Sequence, residues 1–159
     1  MKYELEDLLR VRKIRKDKAA DNVKKARLAL KKAEDVVEAA NRRLSEYKLF
    51  KVKEVERLYG AVMKKNVPKE GIENLQIELA FLDKKILEYE TALQDAIEAH
   101  KKAQKYLDDR VGALQQATRN MQKIEEHKQT WIEEDSKILE LSQDKELEDV
   151  KLKEDLSHE

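Results

Sequence analysis

The sequence predicts an all-α protein in which two long helices form an antiparallel coiled-coil hairpin, with the turn near residues 66–72. Only three glycines and one proline occur among 159 residues, so the chain has few places to turn. Charged residues make up 43% of the composition and aromatic residues 5%, which is typical of long helices. Apolar residues recur in alternating steps of three and four, the spacing that joins two helices along a seam.

Intrinsic disorder is the competing interpretation of this composition, because the mean hydropathy is low and the charge content is high. Two observations oppose it. The net charge is zero, and the apolar residues are periodic rather than scattered. We therefore expect an ordered helical protein.

The turn is predicted from Pro68 and Gly71, which lie near the middle of the chain. Proline lacks an N–H group and clashes with the preceding helical turn, so it cannot continue a helix interior. Glycine can adopt the left-handed backbone angles that a tight reversal often needs. The predicted hairpin spans residues 1–140, with arms at about 4–65 and 72–140.

The first arm carries a regular seam, in which alanine fills every seventh position from Ala19 to Ala40 and allows a close approach of the second helix. The repeat slips by four residues at Lys51 and Glu54 and resumes at Val55, which locally relaxes the supercoil. The regular seam positions are Ala19, Val23, Ala26, Leu30, Ala33, Val37, Ala40, Leu44 and Tyr47.

The second arm carries a longer seam of nineteen positions, fifteen of them apolar or aromatic. Folding near residue 69 places the alanine-rich stretches of the two arms together, which favours a hairpin over a parallel dimer. It also places Trp131 near Leu5, Leu8 and Leu9, where it would close the open end. The positions are Leu75, Leu79, Leu82, Ile86, Tyr89, Leu93, Ala96, His100, Ala103, Leu107, Arg110, Leu114, Ala117, Met121, Ile124, Lys128, Trp131, Asp135 and Ile138.

Charge is unevenly distributed along the chain. Residues 1–65 carry 20 Lys and Arg against 11 Asp and Glu, whereas residues 131–159 carry 4 against 11. The basic cluster between Arg10 and Lys18 is either a solvated helix face or a docking patch for an acidic protein surface. Nucleic acid is not expected as a partner, because no aromatic residues are interleaved for base stacking. Residues 141–159 are predicted to be an acidic tail, either a frayed helix or disordered.

Large apolar side chains near the predicted turn lie off both seams: Leu49, Phe50, Val52, Tyr59, Met63, Ile77 and Phe81. Contiguous exposed apolar surface usually marks a binding site. The alternative is a locally splayed tip in which these side chains pack on each other. Under the first interpretation this end docks into an apolar groove on a partner protein.

The sequence carries no signature of an enzyme, a cofactor site or a metal site. His100 falls on the seam, where a tolerated polar residue is more common than a metal ligand. Cysteine is absent, so there is no disulfide framework. No apolar run is long enough to cross a bilayer, and the N-terminus lacks a secretory signal, so we expect no membrane insertion.

Two segments resemble the YscO family of type III secretion proteins. The run YELEDLLRVRKIR at residues 3–15 has the leucine pair and spaced arginines with which these proteins open. The run HKQTWIEE at residues 127–134 is similar to the His-Lys-x-x-Trp stretch of chlamydial-type members. The length, the near-central turn and the acidic end agree, and the resemblance spans most of the chain.

This resemblance implies an antiparallel coiled coil like YscO and its flagellar relative FliJ, which resemble the central stalk of rotary ATPases. It implies a cytoplasmic protein, peripheral at the inner-membrane base of the secretion apparatus, that binds the hexameric secretion ATPase, the export-gate membrane protein and secretion chaperones. Because the hairpin pairs its seams within one chain, we expect a monomer rather than a parallel homodimer. The candidate ATPase-binding residues at the open end are Leu8, Leu9, Arg12, Arg15 and Trp131. The candidate export-gate residues at the turn end are Phe50, Tyr59 and Phe81.

Two other functions are compatible with the pattern. A coiled-coil chaperone of the prefoldin or tubulin-cofactor type also combines antiparallel helices with exposed apolar tips. A structural spacer would bind nothing through its tip.

Overall fold

The computed structural model describes residues 2–64 and 68–157, which form two α-helices. Helix α1 spans Glu6–Met63 and helix α2 spans Lys69–Ser157. No strand occurs within these described ranges. The prediction of an all-α helical hairpin is confirmed.

The interruption between the helices falls at Pro68, as the sequence predicts. Pro68 directly precedes the first residue of α2, where the N–H that proline lacks would have no helical partner. Its carbonyl accepts a hydrogen bond of 2.9 Å from the backbone N–H of Gly71. The conformation predicted for Gly71 is wrong, because this residue already lies inside α2 and no described glycine has a left-handed backbone. Residues 65–67 of the turn lie outside the described residues.

Residues Met1–Asn22 and Val111–Glu159 form one compact unit, which we call unit 1. Within its described part, the start of α1 packs antiparallel to α2. The Tyr3 hydroxyl bonds to Nδ1 of His127, and Lys128 Nζ donates to a carboxylate oxygen of Glu6 at 2.7 Å. Residues at and just before the start of α1 thus contact residues 127 and 128 of α2, as an antiparallel pair requires.

Residues Val23–Arg110 form the second compact unit, unit 2, in which the helices are also antiparallel. His100 Nε2 lies 3.7 Å from a carboxylate oxygen of Glu34, so this histidine is a polar seam residue, as predicted. The rings of Tyr47 and Tyr89 are 5.0 Å apart. Nearer the turn, a cluster with a core of Leu58, Leu75 and Leu82 also contains Tyr47, Val55, Val62 and Leu79.

The predicted seam matches the buried line of both helices. On α2, every predicted position from Leu75 to Asp135 is buried or half-buried, and only Ile138 is exposed. The nine regular positions of α1 are likewise buried or half-buried. At the predicted slip, Lys51 and Glu54 are half-buried and form ion pairs, which explains how charged groups are tolerated there.

Helix α2 continues beyond the part that α1 can cover. Residues 136–157 are helical, and every one of their side chains is exposed. Because α1 begins at Glu6, opposite Lys128, it offers no residues that could oppose this segment. The prediction that residues 141–159 behave as a frayed or disordered tail stays a prediction, and residues 158 and 159 lie outside the described part.

Two interior helical glycines give a direct test of the helix assignment. A Cβ added at Gly60 or Gly112 meets no atom within 4 Å. Gly60→Ala and Gly112→Ala should each raise the free energy of unfolding by about 0.5–1 kcal/mol, because alanine loses less backbone entropy in a helix. Urea denaturation followed by circular dichroism measures this change. The matched control is Ala92→Gly at an exposed helical position, which should lower the free energy of unfolding by a similar amount. If Gly60→Ala and Gly112→Ala both destabilised the protein, the helix assignment would be contradicted.

Candidate partner-binding surfaces

Where α1 begins, an apolar cluster packs the two helices of unit 1 together, and we call it the end cluster. Its buried members are Tyr3, Leu9 and Ile124, and the half-buried residues packed on them are Leu5, Leu8, Met121 and Trp131. The predicted position of Trp131 near Leu5, Leu8 and Leu9 is confirmed, since all four belong to this cluster. Leu9 is only 2% exposed, so its side chain is committed to this packing. Leu8 and Trp131 keep part of their surface accessible to a partner.

Tyr3 is a member of the end cluster that the sequence analysis missed. Its ring packs against Trp131 with centroids 5.3 Å apart, and its hydroxyl lies 2.5 Å from Nδ1 of His127. Its carbonyl accepts a hydrogen bond from the N–H of Glu6 at the start of α1. The residue precedes the helix and therefore has no place in the seam repeat, so periodicity could not identify it.

The predicted basic residues separate into two kinds in the structure. Arg12 is half-buried, and its Nη1 donates a hydrogen bond of 2.7 Å to the backbone carbonyl of Asn120 on α2. This bond uses the guanidinium to hold the two helices together. Arg15 is exposed, and together with Arg12 it lines a shallow groove between the helices. Of the two predicted arginines, Arg15 has its charge available to a partner.

An exposed strip of α1 combines positive charge with apolar side chains. Val11, Ile14, Arg15 and Lys18 are spaced by three or four residues, so they share one side of the helix, and all four are exposed. We call these four residues the basic face. Ile14 is 61% exposed and adds apolar surface between the cationic groups. The sequence analysis noted the charges of this strip but not its apolar component.

Near the turn, unit 2 carries an apolar groove, the tip groove. Phe50 and Phe81 both line it, and the side chains of Tyr47, Leu58, Ile77 and Leu82 complete its apolar wall. Phe50 is 49% exposed, Phe81 57% and Ile77 67%. The structure thus brings Phe50 and Phe81 together, whereas Tyr59 is exposed but does not line this groove.

The rim of the tip groove is charged. Glu54, Arg57 and Glu78 line it, and the guanidinium of Arg57 donates to both carboxylate oxygens of Glu54. This hydrogen bonding lowers the pKa of Glu54 and raises that of Arg57, so the pair stays charged. Lys85 Nζ lies 5.7 Å from the centre of the Phe81 ring, an arrangement that suits a cation–π contact. The groove is therefore apolar inside and ionic at its edge.

Within residues 2–64 and 68–157, no three His, Cys, Asp or Glu side chains come together in a way that could hold a metal ion. The two helices in this part of the chain also contain no segment apolar and long enough to span a bilayer.

Comparison with known proteins relates this chain to one family. The family model described as "Type III secretion protein YscO" matches residues 5–153. Among solved structures, the chain resembles the 2.8 Å crystal structure of type III secretion protein YscO from Vibrio parahaemolyticus, with a TM-score of 0.82. The two sequences are 22% identical, and the similarity covers 91% of each chain. Among curated proteins, none shows significant sequence similarity.

The ion pair of Glu6 predicts how acid affects the end cluster. The hydrogen bond from Lys128 holds the pKa of Glu6 below its ordinary value of 4.5. A lowered folded-state pKa gives stability that is present above the unfolded pKa and is lost as the pH falls through the folded pKa. Glu6→Gln should therefore lower the melting temperature at neutral pH. The difference from wild type should shrink below pH 4.5 and vanish once the pH lies below the lowered pKa of folded Glu6.

Fluorescence of Trp131, the only tryptophan, reports this transition at the end cluster. The matched control is Glu4→Gln, which removes another exposed carboxylate near the same end. A Glu6→Gln deficit that persisted unchanged at acidic pH would contradict the assignment.

Proposed function

Because this chain belongs to the YscO family of type III secretion proteins, we propose that it acts as a cytoplasmic stalk and escort protein of a secretion apparatus, without enzymatic activity. In this role unit 1 binds the hexameric secretion ATPase, and the tip groove binds the export-gate membrane protein at the inner-membrane base. Secretion chaperones are a third class of partner. The tip groove is the observation that carries the proposal, because Phe50 and Phe81 are exposed there at positions that the seam does not use.

The chemistry of the tip groove suits a protein partner. Phe50 and Phe81 offer large rigid rings, and aromatic residues of this kind often dominate the free energy of protein binding. Arg57 stands at the rim in an orientation already fixed by Glu54, so little conformational entropy is lost when it contacts a partner. Tyr59 contributes at most a separate contact, since it lies outside the groove.

The proposed ATPase contact lies on unit 1. Arg15 is accessible beside the exposed cation of Lys18, and Leu8 and Trp131 add partly exposed apolar surface. Positive charge on this strip favours the approach of an acidic surface and speeds encounter. Arg12 and Leu9 support the contact indirectly, because they hold α1 against α2.

The tip groove supplies the first test of this function. Phe50→Ala combined with Phe81→Ala should weaken binding to the cytoplasmic domain of the cognate export-gate protein by about tenfold or more, the loss typical of removing central aromatic contacts. Isothermal titration calorimetry measures the affinity, and circular dichroism checks that the helix content is unchanged.

The matched control for the tip variant is Leu28→Ala combined with Val36→Ala, which removes equally exposed apolar side chains elsewhere on α1. Unaltered binding by the tip variant would sink the assignment. If wild-type protein bound unfolded client proteins as tightly as it binds the export-gate domain, a prefoldin-like chaperone function would be supported instead.

The ATPase contact has its own test. Wild-type protein should increase both ATP hydrolysis and hexamer assembly by the cognate secretion ATPase at equal concentration. Arg15→Glu combined with Lys18→Glu should abolish the increase, because charge reversal repels an acidic docking surface. Arg12 is left intact in this variant, since its loss would also disturb the hairpin.

The control with the same charge change is Lys24→Glu combined with Lys25→Glu, two exposed residues further along α1. If the Arg15→Glu, Lys18→Glu variant stimulated the ATPase as strongly as wild type does, the basic face would not be part of the ATPase contact. No stimulation by folded wild-type protein would favour the escort or spacer functions.

A further inference from the structure

The last part of α2 is a helix whose side chains are all exposed. Residues 136–157, which we call the α2 extension, continue α2 past the part that faces Glu6, the residue at which α1 begins. Seven large aliphatic residues lie on it with exposures of 52–72%: Ile138, Leu139, Leu141, Leu147, Val150, Leu152 and Leu156. Helices in proteins derive most of their stability from packing an apolar face, so this surface suits a second helix.

Five of these residues form one line that continues the seam of α2, and we call it the seam stripe. Ile138 is followed at the spacing of the seam by Leu152 and Leu156. Leu139 and Leu141 flank the same line at its beginning. The side of α2 that packs on α1 earlier in the chain is therefore the side that the extension presents uncovered.

The seam stripe is apolar at its two ends and polar in its centre. Ser142, Lys145 and Asp149 occupy the seam positions between Leu141 and Leu152. At about 1.5 Å per residue, these two leucines are ~17 Å apart along the helix axis. A matching surface must present two apolar groups at this separation with polar groups between them. A helix packed along the stripe can do so, because its side chains recur at the same spacing.

The charged positions on either side of the seam stripe are mostly acidic. Glu146, Glu148 and Asp155 lie there with one basic residue, Lys153, and all four are exposed. The whole extension carries seven Asp and Glu against four Lys. Because charges at flanking positions select the partner in a coiled coil, the matching helix carries Lys or Arg at its own flanks.

Other occupants suit the seam stripe less well. An anionic membrane surface would repel the acidic flanks and would bury Lys145 and Asp149 in the centre of the stripe. The extension of a second copy would bring acidic flanks together, which like-charge repulsion disfavours. The pair Leu147 and Val150 lies on the opposite side of the helix, and isolated aliphatic residues of this kind are common on protein surfaces.

We propose that the α2 extension binds a basic amphipathic helix of another protein, which packs along the seam stripe. One apolar group of that helix covers Ile138 and Leu141, and a second covers Leu152 and Leu156. Its Lys and Arg side chains pair with the acidic flanks. This inference is independent of the proposed secretion role, and the contact uses no residue of the basic face, the end cluster or the tip groove.

A synthetic helix of the required chemistry tests the contact on the full chain. The probe is a peptide of about three heptads with Leu at the two ends of its apolar line, polar residues at its centre and Lys at the flanking positions. Isothermal titration calorimetry should give a Kd below ~100 µM at ~50 mM salt and weaker binding at ~500 mM, because salt screens the ion pairs. Absence of binding by folded wild type at low salt would overturn the proposal.

Two pairs of substitutions on opposite sides of the extension locate the contact. Leu152→Ala with Leu156→Ala should weaken binding of the probe at least about tenfold, because it removes the apolar groups at one end of the stripe. Leu147→Ala with Val150→Ala is the matched control and should leave the affinity unchanged. Alanine favours a helix, so neither variant should lose helix content. Equal losses of affinity in the two variants would contradict the assignment of the stripe.

Exchange of charge tests the acidic flanks separately. Glu148→Lys with Asp155→Lys should weaken binding of the Lys-flanked probe at least about tenfold. The same variant should bind a second probe in which Glu replaces the flanking Lys, and this gain could not arise from a misfolded protein. Wild type that bound both probes equally well would show that charge does not select the partner and would overturn the proposal.

Photo-crosslinking in cells tests the contact with the native partner. Benzoylphenylalanine placed at Leu152 should crosslink to a helix of another protein that carries Lys or Arg beside an apolar line, whereas the same group at Val150 should not. Mapping of the crosslinked peptide by mass spectrometry identifies the helix. A crosslink from position 152 to a second copy of this chain, to lipid or to no molecule at all would overturn the proposal.

Discussion

The structure depends on one constraint: two helices can bury only one line of side chains between them. That line is the seam, whose spacing of 3.5 residues keeps the apolar positions of α1 and α2 facing each other. It is narrow, since only ten hydrophobic residues of the described chain are buried and alanine supplies two of them. Apart from the end cluster, where Tyr3 and Leu9 are also buried, most side chains off the seam remain near water. The surface chemistry is therefore determined largely by residues that the seam does not require.

Much of the fold follows from the sequence because periodicity and the lone proline act locally. The seam from Leu75 to Asp135, the helix start after Pro68 and the position of Trp131 all agree with the structure. Gly71 was misassigned because a glycine near a proline suits either a turn or the first turn of a helix. Local pattern cannot separate those two possibilities.

The candidate sites were harder to predict, because they depend on which off-seam residues meet. Phe50 and Phe81 could be selected as surplus apolar residues, and the structure places both in the tip groove. Arg12 was indistinguishable from Arg15 in the sequence, since only the fold reveals the Asn120 carbonyl beside it. Tyr3 and the apolar part of the basic face carry no repeat signal, so they became visible only through packing and exposure.

The separation of paired residues along the chain has a consequence for how the hairpin forms. Lys51 and Asp83 are 32 residues apart, whereas Tyr3 and His127 are 124 residues apart. Closing a longer loop costs more conformational entropy, so contacts beside Pro68 form most readily and the pairing zips outward. The end cluster is then the last region to assemble, and a nascent chain cannot complete it until α2 has left the ribosome as far as Trp131.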